Sequence, residues 1–228
     1  MGKLIVIEGL DGSGKSTQTP ILAKELKHQG KDVRVISFPD YESESSALVR
    51  MYLSGAFGSH PDDVNAYAAS SFYAVDRYAS YVTGWRDFYQ KSDSVILATR
   101  YTSSNEIHQL AKLERDKWDA FIRWAEEYEF EKLEIPRPDA VLYLDMKYEI
   151  ASKLIGSRSE QTGQARDIHE KDAAYMEKCY KAAAYASDKL GWHRIVCYEG
   201  NTPLSKEEIS EKILEKVTIL LDVSGKED

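Results

Sequence analysis

Cysteine is scarce in this 228-residue chain. There are two, Cys179 and Cys197, too few and too far apart for a metal-ligand pattern. That excludes a disulfide-stapled small domain; one disulfide between the two is open in principle, but we expect free thiols in a reducing cytoplasm. Long apolar runs are missing too: no stretch approaches the roughly 20 residues a membrane span needs. "MGKLIVIEG" goes straight into a strand pattern with no basic-then-apolar leader, so no export signal is expected. Positive charge is in deficit, with 30 Lys and Arg against 38 Asp and Glu and a formal net charge of −8. A broad nucleic-acid surface is therefore disfavoured, because gripping a phosphate backbone takes a basic field. A small anion in a locally basic pocket is not excluded. No internal repeat, low-complexity block or linker stands out, so residues 1–228 read as one domain with a frayed tail over 224–228.

What is there is a regular alternation. Short β-branched runs at 4–8, 32–38, 94–99, 140–145 and 194–198 are apolar almost throughout, as strands covered on both faces should be. Segments rich in Ala, Leu, Glu and Lys lie between them, at 43–54, 62–91, 104–132, 147–156 and 170–190. This pattern predicts a three-layer α/β sandwich around a mostly parallel five-stranded sheet. Ligands in such sheets gather beyond the carboxyl ends of the strands. Gly30 stops the first helix, "PRPD" (136–139) leads into the fourth strand, and Asn201-Thr202-Pro203 breaks the chain before the last helix. Pro20 falls inside the first helix, where its missing N–H predicts a local irregularity.

The first strand ends in "IEGLDGSGKSTQT" (7–19), which contains G-x-x-x-x-G-K-[ST] with Gly9, Gly14, Lys15 and Ser16 at the required spacing. In a strand-to-helix turn, the backbone N–H groups of Gly9, Leu10, Asp11, Gly12, Ser13 and Gly14 can converge on phosphate oxygens. Lys15 would reach the outer phosphates, the Ser16 hydroxyl would help hold Mg²⁺, and Thr17 continues the loop into the helix. The bland alternative is a glycine-rich turn that binds nothing. GTPases share this loop, but there is no N-K-x-D guanine-reading motif, and "VLYLDM" is late and lacks the glutamate of a large ATPase. A small kinase with a nucleoside triphosphate donor remains.

Taken with "SFPDYESESS", "SSFYAVDRYAS", "TRYTSSNEIHQ" and "RPDAVLYLD", the loop resembles the thymidylate kinase family of nucleoside monophosphate kinases. The resemblance runs from Lys3 to about Gly191. It implies a P-loop fold with a short lid, ATP as donor with Mg²⁺, a pyrimidine deoxynucleotide acceptor (dTMP going to dTDP) and a homodimer. It also implies site roles. Phe38 and Tyr73 would sandwich the pyrimidine, since rings offer bases a π-face, and Arg77 would donate to a carbonyl of the base. Asp11 would accept from the sugar 3′-hydroxyl, Arg100 would clamp the acceptor phosphate with its planar fork, and Ser104, Asn105 and His108 would line sugar and base. In "GSRSEQTGQARDIHE" (156–170), Arg158 and Arg166 would close over the transferring phosphoryl and help exclude water. Each residue also has a plainer reading: core aromatics for Phe38 and Tyr73, a surface ion pair for Arg77 with Asp76, a structural helix residue for His108, and an exposed loop for the lid arginines.

The pattern is broken in two places. Relatives usually read Asp-Arg-Tyr after the third strand, and here it is Thr99-Arg100-Tyr101. A neutral hydroxyl is a weaker partner for a hard cation than a carboxylate, and Asp145 is a candidate to compensate. Asp40 and Tyr41 follow "FP" where an arginine is expected. Three readings follow, in this order: a differently tuned thymidylate kinase, a deoxynucleoside kinase with an unphosphorylated acceptor, or a catalytically weak nucleotide-binding protein.

Overall fold

The computed structural model describes residues 1–162 and 172–223, and their side chains except at 157–162 and 222–223. In chain order the main elements are β1 (Lys3–Glu8), α1 (Lys15–His28), β2 (Asp32–Ser37), α2 (Ala47–Leu53), α3 (Ala66–Ser80) and α4 (Arg86–Tyr89). Next come β3 (Ser94–Thr99), α5 (Thr102–His108), α6 (Trp118–Glu126), β4 (Ala140–Asp145) and α7 (Tyr148–Thr162). The series ends with α8 (Ala173–Lys189), β5 (His193–Val196), a small hairpin of β6 (Tyr198–Glu199) and β7 (Thr202–Pro203), and α9 (Lys206–Val223).

Five strands form a parallel sheet in the order β2-β3-β1-β4-β5, with Ile5 opposite both Leu97 and Ala140. β1 is central, so its chain end lies in the crevice between neighbours on either side, where such sheets place their ligands. The alternate residues of the strands feed two cores. Ile5, Ile7, Leu97, Leu142 and Leu144 meet Leu22 and Leu26 of α1 and Ile213 and Val217 of α9 on one face. Leu4, Val6, Ile96 and Val141 pack on the other with Trp85 and Tyr101, while Tyr143 joins Tyr175, Met176 and Cys179 of α8. That gives the three layers.

Local chemistry places the helix starts. Asn65 caps α3 by accepting from the Ala68 N–H at 2.9 Å, and Asp172 caps α8 by accepting from Tyr175 N–H at 2.9 Å. Several expectations shift at the edges. The 62–91 stretch divides at a π-helical segment, Tyr81–Trp85, and the 104–132 stretch divides through 3₁₀ turns before ending in a second π segment, Glu127–Lys132. β2 is an edge strand and is not covered on both faces: Val35 is 43% exposed. α1 runs unbroken through Pro20. Pro20 and Ser16, whose carbonyl loses the bond, are both exposed, so water can take the place of the missing N–H. α7 continues to Thr162, into the expected lid; the rest of that lid and the tail 224–228 lie outside the described residues.

Candidate active site

The turn between β1 and α1 is wound tightly around backbone positions that only glycine fills well. Gly12 has φ +79°, and a Cβ there would meet the Ala151 carbonyl of α7 at 2.7 Å; Gly14 has φ +97° with open space around it. The N–H groups of Thr17 and Gln18 bond to Gly14 O at 3.0 and 2.9 Å, so the helix begins directly at the loop. The positive end of its dipole therefore adjoins the loop. Lys15 is buried, with Nζ donating to Gly9 O at 2.6 Å and Leu10 O at 2.9 Å and lying 3.9 Å from Asp11. The Ser13 hydroxyl is buried without a hydrogen-bond partner among the described residues. Ser16 is exposed and Thr17 half-buried.

Across from this loop stands Arg100, immediately beyond β3. It holds a left-handed backbone, φ 64°, which for a non-glycine residue is a sign that surrounding contacts dictate its position. Nη2 pairs with Asp11 of the loop, and Nη1 reaches His108 Nε2 at 3.2 Å and Ser104 Oγ at 3.4 Å. Glu8 lies 3.8 Å away. Burial alone would lower the Arg100 pKa, but Asp11 and Glu8 outweigh it and push it above the ordinary value, so the guanidinium is a permanent cation. Glu8 is fully buried. It accepts from Gly9 N–H at 2.9 Å, Ser103 Oγ at 2.6 Å and Ser104 Oγ at 2.8 Å, tying the loop to the start of α5.

A second buried carboxylate organises the far wall. Arg77 of α3 is 1% exposed and turned inward: Nε and Nη2 each meet Glu129 at 2.6 Å, and Nη1 reaches Tyr101 O at 3.3 Å. The expected donor to a base thus has its strong donors committed, because a buried guanidinium requires a counter-charge. Asp76 is also buried but serves a different purpose from the expected surface pair. It accepts from Asp40 N–H at 2.9 Å and Ser45 Oγ at 2.5 Å, fixing the loop that follows β2. Asn105 joins Glu129 at 3.0 Å, as does Thr102 at 2.8 Å.

The two aromatic candidates sit in different clusters. Phe38 is 3% exposed in the core with Tyr101, while half-buried Tyr73 lies edge-on to Tyr52, centroids 6.5 Å apart. Thr99 Oγ1 donates to Thr19 Oγ1 at 3.0 Å, and Thr19 donates to Lys15 O, so the hydroxyl stitches β3 to α1. Asp145, the candidate compensating acid, accepts from Arg194 Nε at 2.9 Å and Nη2 at 2.6 Å. The side chain of Arg158, on α7, and the whole of Arg166 lie outside the described residues. Thus Lys15, Asp11, Arg100, Ser104 and His108 form one connected cluster, while Phe38 and Tyr73 pack separately. Glu8 and Glu129 escaped the sequence reading, which offered Asp76 only as a surface partner of Arg77. Glu8 alone carried a signal, a carboxylate ending an otherwise apolar strand.

Comparison with known proteins identifies the family. The family model "Thymidylate kinase" matches residues 7–213. A thymidylate kinase of Mycobacterium tuberculosis (strain CDC 1551 / Oshkosh) is 32% identical over 192 residues, covering 83% of this chain and 87% of that protein. One from Caenorhabditis elegans is 30% identical over 184 residues, covering 77% of each. The solved structure of Candida albicans thymidylate kinase superposes with a TM-score of 0.71, covering 96% of this chain and 92% of that one at 21% identity, a likeness of fold.

Proposed function

The chain belongs to the thymidylate kinase family, and from that footing we propose that it moves the γ-phosphoryl of ATP onto dTMP, giving ADP and dTDP. The observation that carries the reading is the meeting of the phosphate loop and Arg100 through Asp11 at the carboxyl ends of β1 and β3. Donor and acceptor phosphates would approach each other across that join. The loop amides and the amino end of α1 cradle the donor phosphates, and Lys15 exchanges its loop carbonyls for phosphate oxygens. Arg100 grips the acceptor phosphate, Asp11 takes the 3′-hydroxyl, and Arg158 and Arg166 neutralise the charge that develops on the moving group. Phosphoryl transfer asks for positioning and charge more than for a covalent catalyst. Tyr73 would meet the base and Ser104 the sugar, whereas Phe38 packs against Tyr101 in the core and Asn105 is engaged by Glu129.

Mg²⁺ supplies charge neutralisation on the triphosphate when bound. Ser16, exposed at the second position of α1, would hold it. Among the described residues no group of three acidic, histidine or cysteine side chains could cage a metal, and the Thr99 hydroxyl is engaged by Thr19. A donor set of one hydroxyl suits an ion carried largely by the nucleotide's own oxygens.

A homodimer accords with the apolar side chains left on α2 and α3: Leu48 is 40% exposed, Met51 44%, Val75 38% and Tyr78 44%. A cytoplasmic setting belongs to the same proposal and rests on the free, buried thiols of Cys179 and Cys197; no helix among the described residues is long and apolar enough to cross a membrane. The experiment is ADP release with ATP and Mg²⁺, run with no acceptor, with thymidine and with dTMP. Release that requires dTMP is the expected result. Use of thymidine would point to a deoxynucleoside kinase, and no acceptor-dependent release would mean nucleotide binding without transfer.

A further inference from the structure

His108 makes a contact that a wall of the base pocket does not require. Its Nε2 lies 3.2 Å from Arg100 Nη1 and its Nδ1 lies 3.6 Å from Cys179 Sγ. The residue is 7% exposed, and Cys179 is fully buried. Its backbone carbonyl accepts from the Tyr175 hydroxyl at 2.7 Å, and the two rings stack 6.5 Å apart. α8 thus presses the end of α5 toward Arg100 through two separate contacts.

A guanidinium has donors only, so Nε2 must offer its lone pair and the ring proton must sit on Nδ1. Nδ1–H then points at the thiol sulfur, a weak acceptor. Burial pushes the Cys179 thiol well above its ordinary range, so the sulfur stays uncharged. The imidazole is therefore a neutral acceptor with a fixed tautomer. Arg100 already faces two carboxylates, Asp11 and Glu8. Lys15 lies 3.9 Å from Asp11, so the two cations and two carboxylates balance. A third carboxylate would turn the cluster net negative toward an anionic ligand, whereas a neutral nitrogen adds direction and no negative charge. With Nη2 held by Asp11 and Nη1 by His108, the plane of the fork is set and its remaining donors are presented in one orientation.

We propose that His108, backed by Cys179, is a positioning residue that orients the Arg100 guanidinium for the acceptor's phosphate. This rests on the reading of Arg100 as the phosphate clamp. It predicts a split that a pocket wall does not: loss should fall on the phosphorylated acceptor and spare the bare nucleoside.

The test compares His108→Leu and His108→Gln with the wild-type enzyme for dTMP KM, ATP KM, kcat and the inhibition constant of thymidine. His108→Leu is expected to raise dTMP KM roughly tenfold, the scale of one charge-assisted hydrogen bond. ATP KM and thymidine inhibition should stay within about twofold, and Gln, whose carbonyl can accept from Arg100, should recover most of the loss. Equal losses for thymidine and dTMP, or Gln no better than Leu, would overturn the proposal. Long-range ¹H–¹⁵N correlation on the unmutated protein is a second measurement, one that depends on neither variant folding. The proton is expected on Nδ1 and the lone pair on Nε2; the opposite tautomer, or a doubly protonated ring at pH 7, would refute it. That spectrum stands whether or not dTMP is the acceptor, so failure of the kinase reading shows in the wild-type turnover and failure of this one in the ring.

Discussion

Gly12 and Gly14 face different obstacles to a side chain, although both have positive φ. At Gly14 the space is open, so Gly14→Ala meets only the left-handed backbone, a cost of about 1 kcal/mol. At Gly12 the same methyl also strikes the Ala151 carbonyl, and backbone cannot yield as a flexible side chain can. Gly12→Ala is therefore expected to lose more stability in urea unfolding than Gly14→Ala; equal losses would remove the close approach of α7 as a constraint. The Arg77–Glu129 pair is a sharper case. Arg77→Ala leaves a carboxylate in the core without its charge partner, so a loss of about 3–5 kcal/mol is expected. The double change Arg77→Met with Glu129→Leu should cost less than the single one, which a double-mutant comparison by urea unfolding reads directly. Lys15 was read from the spacing of its loop and Arg100 from the resemblance carried by "TRYTSSN", both local stretches. Neither signal could locate Glu129, one of four glutamates within 126–131 (126, 127, 129 and 131), because burial of that one alone is decided by packing of α3 and α5 against it.

At the scale of elements, β1, α1 and β3 were legible because periodicity and the glycine spacing agree on the same boundaries. The 62–91 and 104–132 stretches read as uniform helix, since π and 3₁₀ segments keep helical composition and differ only in how the backbone bonds. β2 read as covered because apolar content says nothing about which strand ends up at the edge. Lys112 shows what such joints hold. It follows α5 by one turn, donates to Tyr52 Oη of α2 at 2.7 Å and to Val64 O at 3.0 Å, and sits over the Tyr52 ring. Burial lowers its pKa from 10.5 to about 8, an effect that Asp62 only partly offsets. Between those values the unfolded chain binds more protons than the folded one. This group's contribution to stability therefore rises with pH from about 8 and levels off near 10.5. Urea midpoints of wild type and Lys112→Met across that window should converge or diverge accordingly: the wild type gains on the variant as pH rises. A constant gap would mean that Lys112 titrates normally.

For the whole molecule, the parallel sheet collects the loop, Arg100 and the start of α5 at one end because all five strands point the same way. The strand–helix alternation announced that arrangement, whereas the side-chain network joining the donor loop to α5 through Glu8 is visible only after folding. The proposed homodimer rests on exposed apolar side chains of two helices, Leu48 and Met51 of α2 and Val75 and Tyr78 of α3, which are separated in sequence. Sedimentation is expected to give twice the 25.9 kDa chain mass, and Val75→Asp to give one chain without loss of fold. A wild-type protein that sediments as one chain would remove the dimer. Most direct for the kinase reading as a whole is ³¹P NMR of a mixture of enzyme, ATP, Mg²⁺ and dTMP. It is expected to show the γ-phosphoryl signal of ATP fading as diphosphate signals of ADP and dTDP grow in equal amounts. Inorganic phosphate in place of dTDP, or no change in ATP, would contradict it.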